Sequence, residues 1–77
     1  MTIKVYSTPT CPWCMRTKEF LKKNHVPFED IDVSRDVKAA QEMVKKSGQM
    51  GVPVIDANGE IIVGFDEHRL KEIIKSK

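Results

Sequence analysis

Two cysteines lie close together near the start of the chain, in the stretch CPWC from Cys11 to Cys14. Three kinds of chemistry use that spacing: a structural disulfide, half of a metal site, or a redox pair. A disulfide between residues so close closes a tiny loop and removes little entropy from the unfolded chain, so it is a poor staple. A zinc site wants four ligands, and its usual signature is two Cys/His pairs. The remaining candidates, His25 and His68, are far apart and unpaired. They read instead as a helix-end residue beside Pro27 and a solvent-facing residue of the last helix. A cluster shared between two chains, each giving thiolates, stays open as an iron–sulfur binding module.

A redox pair fits the position best. Pro12 suits the first turn of a helix, where its missing N–H costs nothing. Cys11 then sits at or just before that turn, facing unpaired N–H groups and the positive end of the helix dipole. That field favours thiolate over thiol, and the thiolate is the nucleophile of disulfide exchange. Cys14, one turn further in, faces Cys11. It is expected to be more buried and less acidic, and to resolve a mixed disulfide formed at Cys11. Trp13 should project beside the thiol as an apolar contact surface.

The elements that must position this pair follow from periodicity. Ile3–Ser7 alternates as a strand. Pro12 to about Asn24 forms a helix with Cys14, Thr17, Leu21 and Asn24 in line, widened by Phe20. His25-Val26-Pro27 ends it. Phe28–Val33 alternates again, with Phe28, Asp30 and Asp32 on one face. Ser34 or Asp36 caps a second helix whose inner stripe is Val37, Ala40, Val44 and Ser47, with Met43 beside it, and Gly48 stops it. Val52–Asp56 and Glu60–Val63 read as a hairpin through Ala57-Asn58-Gly59. Asp66 caps a last helix with Leu70, Ile73 and Ile74 on one face. The order is β-α-β-α-β-β-α, an α/β fold with a four-stranded mixed sheet and three helices. Strands joined through helices are expected to run parallel, with right-handed crossovers, and the last pair antiparallel.

Seventy-seven residues suit one domain, spanning 1–77. Thirteen basic and eleven acidic residues leave a net charge of +2, with the signs interspersed. The first helix leans basic through Arg16, Lys18, Lys22 and Lys23, which reads as a solvated face. A nucleic-acid surface would need a larger imbalance and interleaved aromatics. No apolar run is long enough to span a membrane, and MTIKVYSTPTC has no signal core. The expectation is a cytoplasmic monomer, in a compartment where cysteines serve catalysis or metals more than structure.

One further residue supports the redox reading. Pro53 falls inside a strand pattern, where proline is normally excluded. A cis Val52–Pro53 bond would account for it and turn the Val52 backbone outward, to pair with a disulfide substrate as an added strand does.

IKVYSTPTCPWC, GVPVI and VGFDE together resemble the glutaredoxin family, within the thioredoxin fold, over nearly the whole chain. The resemblance implies a dithiol oxidoreductase acting on protein or glutathione mixed disulfides, with Cys11 as nucleophile and Cys14 as resolving thiol. It implies no bound cofactor, glutathione as co-substrate, and a groove in which Trp13, Val52, Pro53, Gly64, Phe65 and Asp66 hold the tripeptide. It also implies roles in electron transport and cell redox homeostasis. The chain departs from the glutathione-using pattern at Thr8, where a lysine is usual, and at Gly51, Val63 and Glu67. A related branch, the glutaredoxin-like hydrogen donors of ribonucleotide reductase, takes electrons from a thioredoxin-reductase-type flavoenzyme, and Gly64-Phe65 looks like its segment before the last helix.

Overall fold

The computed structural model describes residues 3–75. Its elements are β1 (Ile3–Ser7), α1 (Pro12–Lys23), β2 (Glu29–Asp32), α2 (Val37–Ser47), β3 (Val54–Ala57), β4 (Glu60–Val63) and α3 (Glu67–Lys75). They form one sheet in the order β2-β1-β3-β4. β1 and β2 are parallel, as the α1 crossover requires. β3 corrects the expectation for strands joined through helices: it runs antiparallel to β1, and β4 antiparallel to β3. The chain returns from α2 through residues 48–53 to the end of the sheet at which β2 stopped.

That reversal gathers the site. Tyr6, near the end of β1, pairs with Val54, the first residue of β3, and Val54 pairs with Val63, the last residue of β4. The loops after β1, before β3 and after β4 therefore meet at one end of the sheet.

Strand alternation sends Ile3, Val5, Ile55, Ala57 and Ile62 to one face, where Leu21, Val26, Leu70 and Ile73 cover them. Tyr6, Val54 and Met43 form a smaller cluster under α2 on the other face. On α2 the inner stripe is rotated from the expected one. Met43 is the buried residue and Val37 is 71% exposed. Asp36, rather than Ser34, caps the helix by accepting the Ala39 N–H at 3.1 Å, and Gly48 ends it in a left-handed conformation. Asn24 is exposed instead of lining α1's buried stripe, because it serves as the C-cap. The hairpin turns at Asn58 and Gly59, both at positive φ (54° and 96°), which is the requirement of a two-residue turn that matches strand twist. The strand limits are shorter than expected for β2, and β3 starts after Pro53. The element order, the four-stranded mixed sheet and the three helices are those expected.

Candidate active site

Cys11 is the N-cap of α1, and its sulfur takes the place of a capping oxygen. The Cys14 backbone N–H donates to Cys11 Sγ at 3.1 Å, satisfying one of the donors that a helix N-terminus leaves free. Pro12 at the first helical position needs no partner of its own. Cys11 is partly exposed and Cys14 is buried, and both thiols are free. The side chains sit as the spacing requires, one outside the helix end and one beneath it.

Burial pushes the Cys14 thiol up, to about 12, and its hydrogen bond to Cys11 and the adjacent Cys11 charge push the same way. A Thr8 backbone hydrogen bond and the Lys18 ammonium oppose the rise. Cys14 therefore holds its proton at neutral pH while Cys11 stays at the surface.

The Val52–Pro53 bond is cis, as the strand proline suggested. The Val52 carbonyl oxygen lies 3.9 Å from Cys11 Sγ. Gly64 has φ +80°, a conformation open to glycine at little cost, and its N–H donates to the Pro53 carbonyl at 2.8 Å. That bond pins the loop after β4 against the loop before β3. Trp13, Val52, Pro53, Gly64 and Phe65 then line one cavity of about 250 Å³. Trp13 is 54% exposed. Its ring stacks on Phe65 at 6.5 Å, and Phe20 meets Phe65 edge-on at 5.9 Å.

Asp66 is placed differently from the rest. Its Oδ1 accepts the Arg69 N–H at 3.2 Å and caps α3, so this oxygen is engaged with the helix. Val63, the last residue of β4, is exposed.

Two contacts beneath and beside the pair had no sequence signal. Lys18 is not part of a free solvated face: its ammonium meets Asp30 at 3.1 Å, and Asp30 also accepts the Ser7 hydroxyl at 2.8 Å. The β1–β2 register, Val5 opposite Asp30, brings these groups together. Arg16 lies over the Trp13 ring, its Cζ 5.0 Å from the centroid. Among the described residues, no three of His, Cys, Asp and Glu cluster as metal ligands. His25 closes α1 at φ 57°, and His68 is exposed and paired with Glu72. Among the same residues no helix is long and apolar enough to cross a membrane.

The chain is similar to known proteins in sequence, and its fold is the thioredoxin fold of the solved structures it matches. A family model described as Glutaredoxin matches residues 3–62. The uncharacterized glutaredoxin-like 8.6 kDa protein in the rubredoxin operon of Clostridium pasteurianum is 51% identical over 73 residues, 95% of this chain and 97% of that one. Among solved structures, a mutant of the thioredoxin-like protein BC3987 superposes with TM-score 0.91 and 33% identity, covering 99% of this chain and 97% of that one. The glutaredoxin-like NrdH-redoxin from Escherichia coli, whose structure addresses a thioredoxin-like activity profile, gives TM-score 0.85 and 28% identity over 94% of this chain and 93% of its own.

Proposed function

The chain belongs to the glutaredoxin family, and from that premise we propose that it is a dithiol thiol–disulfide oxidoreductase working through Cys11 and Cys14. The observation that carries this is the N-cap position of Cys11, its sulfur accepting the Cys14 N–H while the Cys14 thiol is held close behind it. The Cys11 thiolate attacks one sulfur of a substrate disulfide and releases the other half as a thiol. A mixed disulfide then joins Cys11 to the remaining half. Cys14 gives up its proton and attacks Cys11 Sγ. The second half leaves as a thiol, and the two electrons now missing from the pair have reduced the substrate.

The causes of the raised Cys14 pKa give the steps an order. Burial acts in every state, but the hydrogen bond and charge from Cys11 act only while Cys11 is a thiolate. Once Cys11 is in a mixed disulfide, those two contributions vanish and Cys14 loses its proton more readily. Burial, the largest cause, remains, so the release is partial.

Substrates in this reading are disulfides of other proteins or mixed disulfides with glutathione, in the cytoplasm, with no resident cofactor. Val52, Pro53, Gly64, Phe65 and Trp13 form the docking groove. Glutathione is one electron donor open to it. A thioredoxin-reductase-type flavoenzyme is a second, supported by the apolar groove, by the absence of a cation at Thr8, and by the engagement of Asp66 with α3. Such a donor would make reduction of ribonucleotide reductase a natural task.

The test is a paired turnover assay with NADPH and a small disulfide. One arm contains glutathione and glutathione reductase, the other thioredoxin reductase alone, and Cys11→Ser is the blank. Turnover above the blank in either arm supports the oxidoreductase and identifies its donor. Equal rates for the parent chain and Cys11→Ser in both arms would sink it.

A further inference from the structure

Two features of the site have no part in the exchange steps: the aromatic wall beside Cys11 and the guanidinium lying on it. The wall is continuous, Phe20 against Phe65 and Phe65 against Trp13. The cavity it bounds is lined by Trp13, Phe65, Pro53, Val52 and Gly64, and no charged residue lines it. At about 250 Å³ it falls below the roughly 300–1,000 Å³ of pockets that enclose whole small molecules. It has room for one large side chain with the rest of the substrate outside.

The charges near the site are mostly committed. Lys18 is bonded to Asp30, and an Asp66 oxygen caps α3. Arg16 is exposed and, among the described residues, makes no ion pair. It is held over the Trp13 ring at 5.0 Å, an arrangement that limits the freedom of a flexible cation and keeps its donors available. A group seated against Trp13 has its neighbour within a side chain's reach of Arg16.

The geometry points to one substrate class, resting on the reading of Cys11 and Cys14 as the redox pair. It is a peptide or protein disulfide whose cysteine is flanked by a large apolar residue and, next to that, a carboxylate. The apolar side chain enters the cavity between Trp13, Phe65 and Pro53. The carboxylate meets Arg16, which acts as a specificity residue.

The test uses protein reduced beforehand, so that the pair itself supplies both electrons. One equivalent of reduced protein and one peptide dimer yield the Cys11–Cys14 disulfide and two thiols. The substrates are disulfide-linked dimers of capped pentapeptides with the sequences Glu-Leu-Cys-Leu-Glu, Lys-Leu-Cys-Leu-Lys and Glu-Ser-Cys-Ser-Glu, and glutathione disulfide. Stopped-flow rates are read at low and high salt. The glutamate–leucine dimer should be reduced about 3–5-fold faster than the lysine one at low salt, the size of one partly exposed ion pair, with the ratio falling in high salt. It should outpace the serine dimer about tenfold, the effect of partly burying a leucine. Arg16→Gln should bring the glutamate-to-lysine ratio near one, Arg16→Lys should restore part of it, and Lys22→Gln, removing a charge elsewhere on α1, should leave it. Trp13→Ala should shrink the leucine-to-serine ratio.

Equal rates for the glutamate and lysine dimers would overturn the inference. So would a ratio untouched by Arg16→Gln, or one that Lys22→Gln lowers as much. If no substrate, glutathione disulfide included, reacts faster than with Cys11→Ser, the redox reading itself has failed.

Discussion

The two faces of the sheet are built on different principles. The face under α1 and α3 buries a broad apolar cluster that includes Val5, Leu21, Ile55, Ile62 and Leu70. The face under α2 buries a smaller apolar cluster of Tyr6, Met43 and Val54, with Asp56 buried beside it, and there charges do the holding. Lys46 reaches Asp56 at 2.6 Å, Glu42 at 2.9 Å and the Tyr6 hydroxyl at 3.2 Å, while that hydroxyl donates to Glu42 at 2.6 Å. The redox helix belongs to the apolar side. Its buried thiol, Cys14, keeps its proton chiefly because burial disfavours a charge there, whereas Glu42, Lys46 and Asp56 of the α2 face are ionised and tied to one another. The comparison predicts that burial governs reactivity and most of the stability on one face, and that pH acts on the other.

The largest effect should appear in thiol labelling. At pH 8, well below a pKa of about 12, Cys14 is almost entirely the thiol, and the thiolate is the reactive form. Iodoacetamide should therefore modify Cys11 of the native protein first, and Cys14, with Cys11 then capped and burial persisting, on the order of 10²-fold more slowly than in urea, where burial is lost. Peptide mapping by mass spectrometry reads this directly. Comparable rates at Cys14 in native and unfolded protein would remove the special status given to the apolar face.

Next in size is the apolar face itself. Leu21 is fully buried, and Leu21→Ala should cost about 2–5 kcal/mol through lost transfer energy and the cavity left behind. A chain of this length has a total stability on the order of 4–12 kcal/mol. The urea midpoint should fall steeply, with much of the native state lost at moderate temperature.

A smaller loss is expected on the α2 face. Lys46→Met leaves Asp56 with its side chain only 12% exposed and without its cation, at an expected cost of about 1–2 kcal/mol. Reduction of a small disulfide should be unchanged. Acid separates the two faces further. Burial pushes the Asp56 carboxyl up, but Lys46 and the Gly59 N–H more than offset this and leave it lowered. The Tyr6 hydroxyl and then Lys46 bring Glu42 down to about 2. Groups depressed in the fold bind protons less readily than in the unfolded chain, so their stabilisation is present above the unfolded carboxylate range. It is lost as pH falls from about 4.5 toward 2. Urea titrations across that window should show a steep decline in the parent chain and a shallower one in Lys46→Met. Equal slopes would mean that the network does not govern the acid transition.

How far the sequence disclosed this design depends on whether a feature is local. Cys11-Pro12-Trp13-Cys14, the Asn58-Gly59 turn and the misplaced Pro53 are readable because each carries its chemistry within a few residues. Leu70 and Ile73 declare their face by helical spacing alone. The α2 stripe misled because Val37-Ala40-Val44 and the adjacent Met43 both satisfy the helical period, and only the narrow patch of Tyr6 and Val54 beneath selects Met43. The direction of β3 is set by where the chain re-enters the sheet, which no periodicity encodes. The Tyr6–Glu42–Lys46–Asp56 network, the Lys18–Asp30–Ser7 contacts and the placement of Arg16 on Trp13 are products of the fold. The first two join residues of elements far apart in sequence, and no local pattern links one partner to the other.

The smallest effect offers the sharpest check on why the α2 network matters. Arg69 meets Glu60 at 3.1 Å, joining α3 to β4, with side chains 42% and 56% exposed. Its distance resembles that of Lys18 to Asp30, and it too links a helix to a strand. Water competes for both partners, salt screens them, and two long side chains lose freedom in meeting. Exposed pairs of this kind contribute between nothing and about 1 kcal/mol. Arg69→Ala should therefore change the unfolding free energy from urea titrations by less than about 0.5 kcal/mol, and 0.5 M salt should erase the difference from the parent chain. Lys46→Met should keep most of its deficit in salt, since Asp56 is desolvated whether or not ions are present. Equal losses for the two variants would mean that charge pairing as such holds the helices on the sheet, and that the partial burial of Asp56 adds nothing.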